Sequence, residues 1–144
     1  MSDKKTFNLK NSYAKELHEI SEKCIPTGFR QAEFLLKNYD LAEKLGFTKN
    51  FLDSKECLKI FSGNSLLKNS QPIAQGYSGH QFGHFNPQLG DGRAILLGEI
   101  DEMDIQLKGI GQTPYSRRGD GKSALSPVLR AVSYTHLTLP TTLQ

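Results

Sequence analysis

The sequence has no tryptophan, two methionines and two cysteines in 144 residues. Cys24 and Cys57 lie far apart and lack the C-x-x-C spacing of redox and zinc motifs. A disulfide framework is therefore excluded, and both read as reduced structural thiols. No apolar run approaches the length of a transmembrane helix. The polar N-terminus, MSDKKTFNLKNSY, lacks the apolar core of a secretion signal. These absences set a cytoplasmic protein without membrane contact as the expectation. Neither sign of charge dominates: the formal net charge of +3 is too slight to argue for nucleic acid or a membrane surface. There are no internal repeats. The length suits one small domain or part of a larger one.

The end of the chain is also marked by what it lacks. VSYTHLTLPTTLQ (132–144) carries no Lys, Arg, Asp or Glu. It closely resembles one reading frame of the transposon-end adapter used in preparing sequencing libraries, with an unbroken match through Val132–Thr141. A native threonine-rich strand is the competing reading. The expectation is a non-native tail over 131–144, excluded from fold reasoning.

Elsewhere two characters alternate along the chain. Apolar residues at Tyr13, Leu17, Ile20 and Cys24 predict a helix over 12–24 with Ser12 as N-cap. A second helical pattern covers 31–45 and ends at Gly46. A third covers 53–62, with Asp53 and Glu56 spaced as a capping box. From Gln71 onward glycine becomes frequent and the period shortens. Ala94–Ile100 and Asp104–Lys108 read as strands joined by a short acidic turn. Residues 109–122 read as a loop, and Ser123–Arg130 opens a helix with Pro127 in its first turns. The expected class is α+β: a helical segment over 1–70, then a mixed lobe over 71–130. A chain that ends as a helix begins reads as cut off.

The chemistry concentrates in that second part. In QLGDGRAILLGE (88–99), Gly90-Asp91-Gly92-Arg93 offers backbone without side chains beside an arginine, a combination suited to phosphate oxygens. Asp-Gly is equally the commonest hairpin turn signal. Lys108 follows sixteen residues after Gly92 on the polar side of a half-buried strand. Protein kinases use the same order of glycine-rich hairpin and phosphate-gripping lysine, while a solvated strand lysine is the plain alternative. The loop TPYSRRGDGK (113–122) packs three cations around a second Asp-Gly, suited to a polyanion or simply to solvent. His80 and His84 have the spacing of zinc ligands on a helix. Flanking glycines and Phe82 and Phe85 argue against helix there, so both are read as structural histidines.

Taken together, GHQFGHFNPQLGDGRAILLGE and DIQLKGIGQTPYSRRGDGK are far more specific than their parts. From about Phe7 to Arg130 the chain resembles the N-terminal part of the SelO family, also called YdiU. NSYAKEL near the start and the Ser-Gly-Asn at 62–64 fit as well. The resemblance implies the N-terminal part of a protein-kinase-like fold, with 71–130 in the nucleotide-binding lobe. It implies ATP bound in a flipped orientation and transfer of AMP to Ser, Thr or Tyr hydroxyls of proteins. By the same resemblance ATP contacts fall on Gly90, Gly92, Arg93, Lys108, Asp120 and Gly121. The family places a glutamate after the Leu-Arg pair, where this chain has Ala131. Its catalytic aspartate, its magnesium-binding Asn and Asp, and further arginines lie beyond this chain. No catalytic or metal-binding residue is therefore expected here, and the chain alone is expected to be inactive. The alternatives are a kinase-like module that binds ATP without chemistry and a basic RNA-contacting domain. The mild charge and the lack of an aromatic-basic stripe argue against the latter. The partners expected are proteins rather than nucleic acid, and no oligomeric state follows.

Overall fold

The structure, a computed structural model, describes residues 9–136. It is α+β: short helices precede a five-stranded antiparallel sheet, and a longer helix follows. The helices α1 (Ser12–Glu16), α2 (Tyr39–Lys44), α3 (Lys49–Leu52) and α4 (Lys55–Phe61) are each two turns or less. The strands are β1 (Ser21–Lys23), β2 (Ile73–Gln81), β3 (His84–Gly90), β4 (Ala94–Ile100) and β5 (Met103–Lys108). Helix α5 (Leu125–His136) closes the described part and runs on past Arg130 without a break. No helix among the described residues is long and apolar enough to cross a membrane.

Three helical expectations are corrected. The helix expected over 12–24 stops at Glu16, and a 3₁₀ turn (His18–Ile20) leads into β1. There Ser21, Glu22 and Lys23 pair with Gln75, Ala74 and Ile73 of β2, so sheet pairing overrides the local helical spacing. Asn11 precedes α1, and its side chain bonds Asn69 and Gln71 instead of capping. The helix expected over 31–45 begins only at Tyr39, because the Asn38 carboxamide caps it by accepting from the Leu41 N–H at 3.0 Å. Gly46, with φ of 79°, ends it as the sequence indicates. The third helix is capped by Ser54, which accepts from the Cys57 N–H at 3.1 Å. Asp53 cannot cap because its carboxylate binds the Lys37 ammonium at 2.7 Å and the Tyr39 hydroxyl at 2.9 Å.

The expected strands are present: β4 matches residue for residue, and β5 starts one residue early. Every residue of β4 is buried, as befits the strand between β2 and β5. Its Ile95 and Leu97 join Leu9, Phe47, Cys57 and Ile60 in one core, so the N-terminal segment packs onto the sheet. Lys10 also bridges to Glu99. The β2–β3 hairpin was not anticipated. Phe82 and Gly83 at its tip have φ of 54° and 80°, both left-handed, as a two-residue primed turn requires.

The Gly90–Arg93 stretch is therefore not a hairpin tip. Gly76 pairs with Gly90 and Ile73 with Leu96, both antiparallel. Between those pairs β2 advances three residues and the opposite chain six. So β3 and β4 follow one another along the same edge of β2, and Asp91, Gly92 and Arg93 bulge out between them.

Candidate functional site

The bulge forms one wall of an open cavity of about 930 Å³. Lys108 stands on the neighbouring strand: Ala94 pairs with Lys108, and the Gly109 N–H donates to the Arg93 carbonyl at 2.6 Å. The sixteen-residue gap from Gly92 is thus closed by one strand, one turn and the returning strand. Residues 114–117 and 119–122 also line the cavity. Gly90, Gly92, Arg93, Lys108, Asp120 and Gly121 all line this cavity.

Segment 113–116 is fastened to the bulge by its own hydroxyls. Thr113 Oγ1 donates to the Asp91 carbonyl and Ser116 Oγ to the Gly92 carbonyl, each at 2.5 Å. The two residues also brace each other, since the Thr113 N–H donates to Ser116 Oγ at 2.7 Å and the Ser116 N–H to the Thr113 carbonyl at 3.0 Å. Tyr115, between them, lays its ring over Gly90, and its hydroxyl reaches Gly76. A Cβ on Gly90 would occupy the ring's place, and one on Gly76 would stand 2.7 Å from the phenol oxygen. The glycine requirement at 90 thus has a packing cause that the sequence did not reveal. Gly121, also on the lining, has φ of 68°, and a Cβ there would collide with the Gly111 carbonyl. Asp120 Oδ1 accepts from the Lys122 N–H at 2.9 Å, which closes a local turn.

Four cations (Arg93, Lys108, Arg117, Lys122) and three carboxylates (Glu22, Asp91, Asp120) line the cavity. Arg117, with φ of 55°, directs its guanidinium to the Gln81 side-chain carbonyl at 3.0 Å and ties the loop to the β2–β3 hairpin. Arg118, counted with the loop's cations in the sequence, does not line the cavity. Burial raises the Asp91 carboxyl above its ordinary value, against the Gln75 N–H, the Tyr77 hydroxyl and the Lys108 charge, which all favour the carboxylate. Burial, with Asp91 nearby, likewise raises the Tyr77 phenol. His80 and His84 lie on the two strands of the hairpin, away from any helix, and His80 packs edge-on against Phe85 at 5.5 Å. Among the described residues no three His, Cys, Asp or Glu side chains converge as a metal-binding group.

The sequence does not mark Thr113, Tyr115 and Ser116 as site residues, because their partners Asp91, Gly90 and Gly92 lie more than twenty residues away. The signal was present in Thr-Pro-Tyr-Ser, whose hydroxyls are spaced for a local turn.

A family model described as "Protein adenylyltransferase SelO" matches residues 4–141. The chain belongs to this family. A "Protein nucleotidyltransferase YdiU" from Bacillus cereus (strain ATCC 10987 / NRS 248) is 50% identical over 129 residues, covering 86% of this chain and 26% of that protein. The namesake from Clostridium botulinum (strain Eklund 17B / Type B) is 48% identical over 128 residues, covering 85% and 26%. That from Rhodopseudomonas palustris (strain BisB18) is 46% identical over 145 residues, covering 94% and 30%. The chain therefore spans about a quarter to a third of the length of these relatives. The family match overlaps the threonine-rich tail.

Proposed function

We propose that this chain is the nucleotide-holding part of a kinase-like protein adenylyltransferase, which transfers AMP from ATP to Ser, Thr or Tyr hydroxyls of protein substrates. The observation that carries the reading is the convergence of Gly90, Gly92, Arg93, Lys108, Asp120 and Gly121 on one cavity. In AMP transfer a hydroxyl attacks the α-phosphorus and pyrophosphate leaves, so negative charge grows on the leaving oxygens. Lys108 supplies a compact charge and Arg93 a planar fork beside the bulge, both suited to those oxygens. Magnesium would neutralise part of the triphosphate charge. Asp91 and Asp120 both line the cavity, and no third His, Cys, Asp or Glu side chain among the described residues joins them as a metal-binding group. We assign the catalytic base and the metal ligands to residues beyond this chain and expect the chain alone to be inactive. The alternative reading is a kinase-like module that binds ATP without transfer.

The test uses the full-length gene product and ATP labelled at either phosphate. Label from the α position should reach protein, with a mass increment of AMP, and label from the γ position should not. Lys108→Ala should remove most of the labelling, and Arg93→Ala should reduce it by about ten-fold or more, the scale of a lost charge-assisted contact. Transfer from the γ position alone would restore a plain kinase reading. Equilibrium ATP binding with no labelled product would favour the binding module.

A further inference from the structure

We propose that Thr113 and Ser116 are positioning residues for nucleotide phosphates, acting through the bulge that their hydroxyls hold. The inference deepens the nucleotide reading of this cavity and rests on it. In an extended strand successive carbonyls point to opposite sides. Here the carbonyls of Asp91 and Gly92 both turn to segment 113–116, drawn there by the two hydroxyls. Each peptide unit is planar and trans, so each N–H points opposite to its carbonyl. The N–H groups of Gly92 and Arg93 are thereby turned away from segment 113–116, and neither meets an acceptor among the described residues. Two successive free N–H groups on one side of the chain offer a pair of backbone donors suited to an anion, here called the nest. The Arg93 guanidinium and the Lys108 ammonium stand beside it, on the same cavity.

The clamp is itself anchored. Thr113 is 8% exposed, and its hydroxyl accepts from the Tyr115 N–H while donating to Asp91. Ser116 Oγ accepts from the Thr113 N–H while donating to Gly92. With both hydroxyls fully engaged, the bulge carbonyls are held before any ligand arrives. A nest fixed in advance avoids the ordering cost that a mobile loop would incur on binding. Without the clamp a carbonyl is free to turn into the cavity, where its oxygen would repel phosphate.

The test compares the wild-type full-length gene product with a Thr113→Val/Ser116→Ala double variant and with the hydroxyl-retaining Thr113→Ser and Ser116→Thr. Calorimetry measures affinity for ATP, inorganic tripolyphosphate and adenosine, and ¹⁵N amide shifts follow Gly92 and Arg93. The double variant should bind ATP and tripolyphosphate about ten-fold or more weakly, the scale of lost N–H contacts to a charged group. Its adenosine affinity should stay within about two-fold, because the nest touches only phosphate. The hydroxyl-retaining variants should stay close to wild type. Tripolyphosphate should shift the Gly92 and Arg93 amides in the wild type and not in the double variant. If that variant does not fold, Ser116→Ala alone carries the comparison. Unchanged ATP affinity in the variants overturns the clamp and leaves the nucleotide reading standing. Equal losses for adenosine and tripolyphosphate reduce the pair to a structural role and overturn it too. A wild-type full-length protein that binds neither ATP nor tripolyphosphate overturns both.

Discussion

Gly90 carries a constraint in the fold beyond the one its sequence context suggests. The sequence suggests a glycine that lets backbone approach phosphate. The structure adds a tyrosine ring, twenty-five residues further along, filling the space where a Cβ would be. No local pattern announces that contact. Gly90→Ala must push the Tyr115 ring aside and should cost about 1–3 kcal/mol, the usual scale of overpacking. Tyr115→Ala vacates the space, so the two changes should be strongly non-additive, with the double variant more stable than the sum of the singles implies. Denaturant midpoints of the four proteins measure this coupling, and simple additivity would show that the ring does not depend on Gly90. The cysteines behave as their sequence context suggests. Both are buried and free, and burial pushes the Cys57 thiol up to about 11.

Among elements, the strands β4 and β5 were legible because their alternation and continuous apolar run are local facts. The helices were less so. Residues 21–23 become a strand because β2, some fifty residues away, offers them a ladder. The β2–β3 hairpin escaped notice because its tip is Phe-Gly, and a left-handed phenylalanine is uncommon. Helix α1 survives as a short turn for a tertiary reason as well. Glu99 of β4 accepts from the Ser12 N–H at 3.0 Å and the Tyr13 N–H at 3.3 Å, so a strand carboxylate satisfies the helix's first donors. Burial opposes that charge, yet the bonds from Ser12 and Tyr13 and the Lys10 charge hold Glu99 below its ordinary value of 4.5. The folded state therefore favours the carboxylate, and the stabilisation is present above that ordinary value and lost as pH falls through the lower folded one. Glu99→Ala should cost about 1–3 kcal/mol near neutrality, from donors left unmatched. Its stability should also decline less than the wild type's as the pH is lowered below 4.5. Unfolding curves from pH 7 to pH 3 provide the check, and parallel declines would refute the role.

On the scale of the whole molecule, the α+β class and the cavity's main residues were readable because glycines, arginine and lysine carry their chemistry in the local sequence. The contacts of Thr113 and Ser116 with the bulge were not, because a hydroxyl has no visible partner until the chain folds. Nor was the exposure of Leu35 and Leu36, 63% and 76%, within a stretch whose apolar spacing suggested a helix with a buried face. For the chain's end we propose that 131–144 is adapter-derived and that the gene continues after Arg130 with a glutamate. Re-sequencing the locus tests this, and VSYTHLTLPTT encoded in genomic DNA would refute it. The bulge has a consequence of another kind. Removing Asp91, Gly92 and Arg93 would leave Gly76 opposite Gly90 and Ile73 opposite Leu96 with no residue in excess between those two pairs, because the excess is three residues. In evolutionary terms, a plain antiparallel sheet lies one in-frame insertion of nine nucleotides away from this cavity wall, without any change to the strands on either side.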